Sequence, residues 1–182
     1  MQKFLVVGYS ISLRVLKDID LENTMSKLMI LTVLSVAASA WGYSAGAPEA
    51  VCGNMTPNHP VSAQKTRFPY KVSVSSDTIK AGEETKINIS GKQFKGFLVE
   101  VRDGDQAVGS FQIPADDKYL KAINCNGIKG SGATHKNKVE KSDISLTWKA
   151  PSTAGKYTVY ATVALDGLTF WVAKPSGTIN VV

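Results

Sequence analysis

The stretch Ile144-Ser-Leu-Thr-Trp148, Lys149, Ala150-Pro-Ser-Thr-Ala-Gly155, Lys156, Tyr157-Thr-Val-Tyr-Ala-Thr-Val163 decides the fold class. Apolar and polar residues alternate on both sides of a Pro- and Gly-containing turn, which is the pattern of two strands with one wet face each. The same pattern recurs outward from it. Tyr70 to Ser75 and Thr85 to Ser90 alternate around the turn Ala81-Gly-Glu-Glu84. Phe97 to Arg102 runs through Asp103-Gly-Asp105 into Ala107 to Ile113, a hairpin signal. Asp166-Gly167 introduces Leu168 to Val172, and Thr178 to Val182 closes the chain. About eight short strands and no stretch of helical period beyond the N-terminal region predict an all-β chain folded as an immunoglobulin-like antiparallel β-sandwich. Val72, Val74, Ile87, Ile89, Leu146, Trp148, Val159 and Ala161 are its expected inward-facing residues, with Trp148 and Trp171 at the centre of the packing. Between Pro114 and Ser142 the pattern lapses, and a long irregular loop rich in Lys, Asn and Gly is expected.

The N-terminal region reads differently. Lys27, an apolar run from Leu28 to Ala37 and the small-residue site Ala38-Ser-Ala40 make residues 25–45 a secretory signal peptide, cleaved between Ala40 and Ala45. Its apolar run is shorter than the roughly 20 residues that span a bilayer. Residues 1–24 form an upstream leader, read as an extension of the gene model ahead of a true start at Met25. Residues 46–182 are then the mature domain, with 17 basic and 12 acidic residues and a formal charge of +5. The C-terminus carries no glycosylphosphatidylinositol-type hydrophobic tail, so the expected product is secreted and not membrane-spanning.

With only two cysteines and two histidines in the chain, thiolate-held clusters and disulfide-dense scaffolds are excluded. In a secreted chain Cys52 and Cys125 read as one disulfide. A zinc site from Cys52, Cys125, His59 and His135 is conceivable by count, but the spacing is not that of a finger, and no metal is expected. His59 and His135 each lie near a cysteine; hydrogen bonding that orders the two segments is the favoured reading over a paired-histidine site. Two sequons, Asn54-Met-Thr and Asn88-Ile-Ser, are candidate glycosylation sites, with Asn88 expected to point outward between Ile87 and Ile89. Phe94, Phe97 and Trp171 are read as core rather than as an exposed patch.

The combination Gly46-Ala-Pro-Glu-Ala-Val-Cys-Gly-Asn-Met-Thr-Pro-Asn-His59, Pro69-Tyr70, Phe94-Lys-Gly-Phe-Leu98, Cys125 with Thr134-His135, Leu146-Thr-Trp-Lys-Ala-Pro151 and Phe170-Trp171 resembles the reeler domain family. Reeler domains also stand at the front of reelin, spondins and ferric-chelate reductase-like membrane proteins. A signal peptide with one such domain is similar to the insect defence proteins of the noduler-like group. That resemblance implies an immune-induced protein of the haemolymph with antibacterial or nodule-forming roles. Its implied partners are bacterial or fungal surface polysaccharides and lipids, such as lipopolysaccharide, teichoic acid and β-glucan, and the haemocyte surface. The alternative is an extracellular matrix or adhesion module that docks a host protein.

Microbial envelopes are anionic, and Lys129, Lys136, Lys138 and Lys141 in or near the long loop are the candidate ligand-binding residues. Gly127-Ile-Lys-Gly-Ser-Gly132 lacks the Lys-Ser/Thr ending of a phosphate loop and is read as a flexible connection. No nucleophile elbow or H-E-x-x-H motif is present, so no enzyme activity and no cofactor are expected. Nucleic acid is not an expected partner, because the chain lacks an interleaved aromatic and basic platform.

Overall fold

Alternation in the sequence becomes alternation in burial. In the computed structural model, which describes residues 42–182, Thr85, Ile87 and Ile89 are buried while Lys86 is exposed and Asn88 half-exposed. Their strand, β3 (Glu84–Gly91), lies between β1 (Tyr70–Val74) and β9 (Ile144–Lys149), with Ile87 opposite both Val74 and Leu146. β6 (Ser110–Phe111) completes this four-stranded sheet in the order β1-β3-β9-β6. The second sheet runs β2-β11-β10-β4-β8-β7, built from β2 (Thr78–Ile79), β4 (Gly96–Asp103), β7 (Leu120–Cys125), β8 (Ile128–His135), β10 (Gly155–Ala164) and β11 (Phe170–Val181). The short β5 (Gln106–Ala107) pairs with β4. The fold is an all-β sandwich.

The core joins Ile87, Ile89, Leu146 and Trp148 of the first sheet to Phe97, Val99, Val101, Val159, Ala161 and Ile179 of the second. Burying each large side chain of this kind contributes about 1.5–3 kcal/mol. Phe94, Phe97 and Trp171 belong to it, and Tyr70 packs edge-on against Phe94 and Trp171 at 5.6 and 5.8 Å. Of the eight residues expected to face inward, Val74 alone is half-exposed.

Several expectations are corrected. Among the described residues there are eleven strands rather than about eight, and one pair is parallel, with Asn180 and Val181 of β11 against Thr78 and Ile79 of β2. Ala107 to Ile113 is not one strand: the chain turns at Gly109, which has a φ of 66°, and passes from one sheet to the other. A Cβ there would lie 2.5 Å from both the Lys149 carbonyl and the Trp148 ring, so only glycine fits. Phe170 to Val181, read as two strands, is one, which tolerates Pro175 by register shifts against β10.

The expected loop Pro114–Ser142 contains the hairpin β7–β8, and the flexible reading of Gly127 to Gly132 falls with it. Its turn is Asn126-Gly127, both with positive φ (53° and 77°), the strongest short hairpin signal a sequence carries. Two of its glycines have separate reasons: Gly130 holds a positive φ of 69°, and a Cβ on Gly132 would meet the Cys125 sulfur at 2.8 Å. Residues 1–24 and nearly all of the signal peptide 25–45 lie outside the described residues.

Candidate functional site

β4 is buried on both faces from Gly96 to Arg102. Phe97, Val99 and Val101 face the sandwich core, while Leu98 joins a second cluster with Ala47, Cys52, Met55, Ala107, Ile123 and Cys125. The N-terminal segment 42–59 forms this second layer as a strap over the outer face of the larger sheet. The Cys52–Cys125 disulfide, with a sequence separation of 73, ties it to the end of β7. Hydrogen bonds hold it elsewhere. The Ala47 N–H donates to Thr134 Oγ1 (3.0 Å), Thr162 Oγ1 donates to the Met55 carbonyl (2.8 Å), and Arg102 donates to the carbonyl of Cys52.

Under the strap, β4 carries a buried ion pair: Arg102 donates to Glu100 at 2.8 Å, and its guanidinium stands 5.6 Å from the Tyr160 ring centre. Burial pushes the Glu100 carboxyl up, opposed by the Arg102 charge and hydrogen bond. The sulfurs of Cys52 and Cys125 lie beside Glu100, a grouping that resembles a ligand set. Their disulfide leaves no thiolate pair to hold a cation.

Between the strap and the sheet lies a cavity of about 350 Å³. Its walls are mostly apolar, from Ala47, Val51, Met55, Pro57, Phe97 and Leu98, with Lys95, Lys138 and Asp166 also contributing. His59 and His135 both line it. His135 Nδ1 accepts from the Phe97 N–H (3.2 Å) and Nε2 donates to the Tyr43 carbonyl (3.0 Å), the geometry of a neutral imidazole. His59 meets Phe170 edge-on at 4.7 Å, and its Nδ1 is buried without a hydrogen-bond partner among the described residues. The two histidines therefore share a cavity wall, and hydrogen bonding by His135 orders the strap.

Burial holds both imidazoles below the usual histidine range; the Lys141 and Lys121 charges push His135 the same way, against backbone hydrogen bonds to Phe97 and Tyr43. The unfolded chain then binds these protons more readily than the folded one. Stability is fully present above the unfolded value near 6.5 and falls as pH drops below it. The melting temperature is expected to decline between about pH 7 and pH 5, with a shallower decline in a His135→Gln variant. Parallel profiles for the two proteins would count against this.

The four candidate lysines do not form one cluster. Lys141 is buried, and its ammonium donates to the carbonyls of Val139 (2.6 Å), Asn137 (2.7 Å) and Lys95 (3.1 Å). Lys136 is half-buried and donates to the carbonyls of Asp117 and Ala115. Flexible cations in a sequence pattern prove to be staples wherever carbonyls converge on them. Lys129, beside the β7–β8 turn, and Lys138, beyond the other end of β8, are exposed. The lysine that sequence reasoning missed is Lys95, exposed and on the cavity wall; its place just before β4 was the available signal. Lys71, Lys86 and Lys149 share the outer face of the four-stranded sheet, as the strand registers require. Asn54 is exposed and accepts a hydrogen bond from the Thr56 N–H, while Asn88 is half-exposed on the outer face of β3.

Comparison with known proteins adds four findings. The Reeler domain family model matches residues 50–182. The chain is 40% identical over 153 residues to "Putative defense protein Hdd11" of Hyphantria cunea, covering 80% of this chain and 92% of that one. It is 33% identical to Ferric-chelate reductase 1 of Bos taurus, over 86% of this chain but only 27% of the reductase. Among solved structures, the human F-spondin reeler domain superposes with a TM-score of 0.52 at 18% identity, over 66% of this chain and 91% of that chain. That likeness concerns the fold alone.

Proposed function

Because the chain belongs to the reeler domain family, we propose that it is a secreted innate-immune defence protein acting on microbial surfaces. The observation that carries this reading is the match to the Hyphantria cunea protein along 92% of that protein's length, which supports a role in defence. The disulfide fits an oxidising, extracellular compartment, with haemolymph as the proposed one. Among the described residues no helix is long and apolar enough to cross a membrane. The reductase's activity is not carried over, because the matched part is a small share of that protein.

The proposed ligands are lipopolysaccharide, teichoic acid and β-glucan, with antibacterial action following from their capture. A formal +5 on residues 46–182 draws the domain to anionic envelopes, and the exposed Lys129 and Lys138 are the proposed contacts from the candidate set. Asn54 and Asn88 are proposed glycan sites.

The secreted protein is expected to pellet with Gram-negative and Gram-positive cells at low salt and more weakly at physiological salt, where screening acts over about 8 Å. A Lys129→Gln/Lys138→Gln variant is expected to bind less. A Lys71→Gln/Lys86→Gln/Lys149→Gln variant, altered on the opposite sheet, is the control. Loss only in that control would move the site to the four-stranded sheet. No binding to either cell type or to β-glucan particles would overturn the reading in favour of a host adhesion partner.

A further inference from the structure

We propose that the cavity under the strap takes one acyl chain of an anionic lipid, with the headgroup held at its mouth by Lys95 and Lys138. The inference deepens the microbial-surface reading and rests on it for the source of the lipid. Three observations point to it.

First, the cavity has the size and character of a ligand site. At about 350 Å³ it holds roughly a dozen groups of water size, taking ~30 Å³ for each. Ala47, Val51, Met55, Pro57, Phe97 and Leu98 give such an occupant apolar neighbours.

Second, cations outnumber anions among the lining residues, Lys95 and Lys138 against Asp166. Lys95 and Lys138 are exposed and on the wall. Asp166 is also there; its Oδ1 accepts from the N–H groups of Leu168 and Thr169, both at 2.8 Å, which leaves one oxygen committed to its own turn. Glu140 lies 3.9 Å from Lys95, an exposed and weak pairing that a headgroup can displace. Lys141 ties the two cationic segments together through the carbonyls of Lys95, Asn137 and Val139, so both lysines rise from a braced backbone.

Third, the turns that supply the mouth also expose apolar side chains. Leu168, 61% exposed, shares a turn with Asp166 and Gly167, and Val139, 52% exposed, follows Lys138. Exposed leucine and valine beside lysine suit the boundary of a lipid layer, where chain and headgroup are both within reach.

The test is displacement of dansyl-undecanoic acid from the secreted protein, followed by fluorescence. Dodecyl phosphate is expected to displace the probe at one site per chain, dodecyltrimethylammonium far less well, and inorganic phosphate not at all. Lys95→Gln/Lys138→Gln is expected to weaken dodecyl phosphate about fivefold while leaving dodecanol unchanged. Val51→Trp, which fills the cavity from the half-exposed side of the strap, is expected to weaken both. Displacement by inorganic phosphate alone would overturn the acyl-chain assignment and leave a simple anion site. Equal affinity for the cationic and anionic amphiphiles, or unaltered binding in both variants, would also overturn the proposal. Bacterial capture without dodecyl phosphate binding rejects the cavity and keeps the defence reading; the reverse result rejects the defence reading and keeps the cavity.

Discussion

An Arg102→Met protein is expected to lose about 3–5 kcal/mol of stability at neutral pH, because the substitution strands a buried carboxylate. Glu100 is 1% exposed, and the guanidinium is its ion-pair partner at 2.8 Å. The same guanidinium also donates to the carbonyls of Cys52 and Gly53, so its removal loosens the strap as well as the pair. Burial already raises the Glu100 carboxyl, and Arg102 is the group that opposes the rise. Without it the carboxyl rises further. A raised carboxyl binds its proton more tightly in the folded state, so the deficit is greatest above its folded value and shrinks as pH falls through it. Urea denaturation at about pH 7 and pH 5 checks both size and sign. A Glu100→Met/Arg102→Met double variant is expected to recover most of the loss, since a matched apolar pair removes the stranded charge. A single-variant deficit below about 1 kcal/mol, or a double variant worse than the single, would mean that the pair is well hydrated and the strap holds without it.

The second large effect belongs to the disulfide. Replacing Cys52 and Cys125 together by serine is expected to cost about 4 kcal/mol, the chain-entropy value for closing a loop with a sequence separation of 73. The bridge anchors the strap at its middle, next to Val51 and Met55 of the cavity wall. Limited proteolysis should therefore cut the double-serine protein within residues 49–59 long before the sandwich, whereas the parent should resist there. Equal protection would show that the hydrogen bonds the strap makes with Thr134, Thr162 and Arg102 suffice to seat it. A melting temperature unchanged by the double substitution would contradict the entropic account.

Some of this was legible without coordinates, and the reason differs from residue to residue. Ile87, Ile89, Leu146 and Trp148 announce themselves because a strand with one wet face must alternate. The resemblance carried by Gly46 to His59 and by Leu146 to Pro151 is borne out by the family match over residues 50–182. The hairpin at Asn126-Gly127 was legible and passed over, because the glycines around it suggested a loop, when Gly127 and Gly130 serve positive φ and Gly132 answers to crowding by Cys125 and Ile123. Phe97-Leu-Val-Glu-Val-Arg102 reads as a half-buried strand. Nothing local says that Glu100 and Arg102 are covered, since the cover includes Cys52, 50 residues before Arg102 in the chain.

The lysines mark the boundary most clearly. Lys138 and Lys141 are three residues apart and chemically identical, yet one stands in solvent and the other is enclosed by three carbonyls. By itself the sequence determined the alternating strands around Ile87, Leu146 and Val159, the family and the pairing of its two cysteines, because each depends on short-range pattern or on a count. Only the tertiary structure decided the switch of sheets at Gly109, the second layer over β4, the cavity and which cations remain free. Those follow from long-range closure: a side chain's hydration and partners are set by segments far away in the chain, and local periodicity carries no record of them.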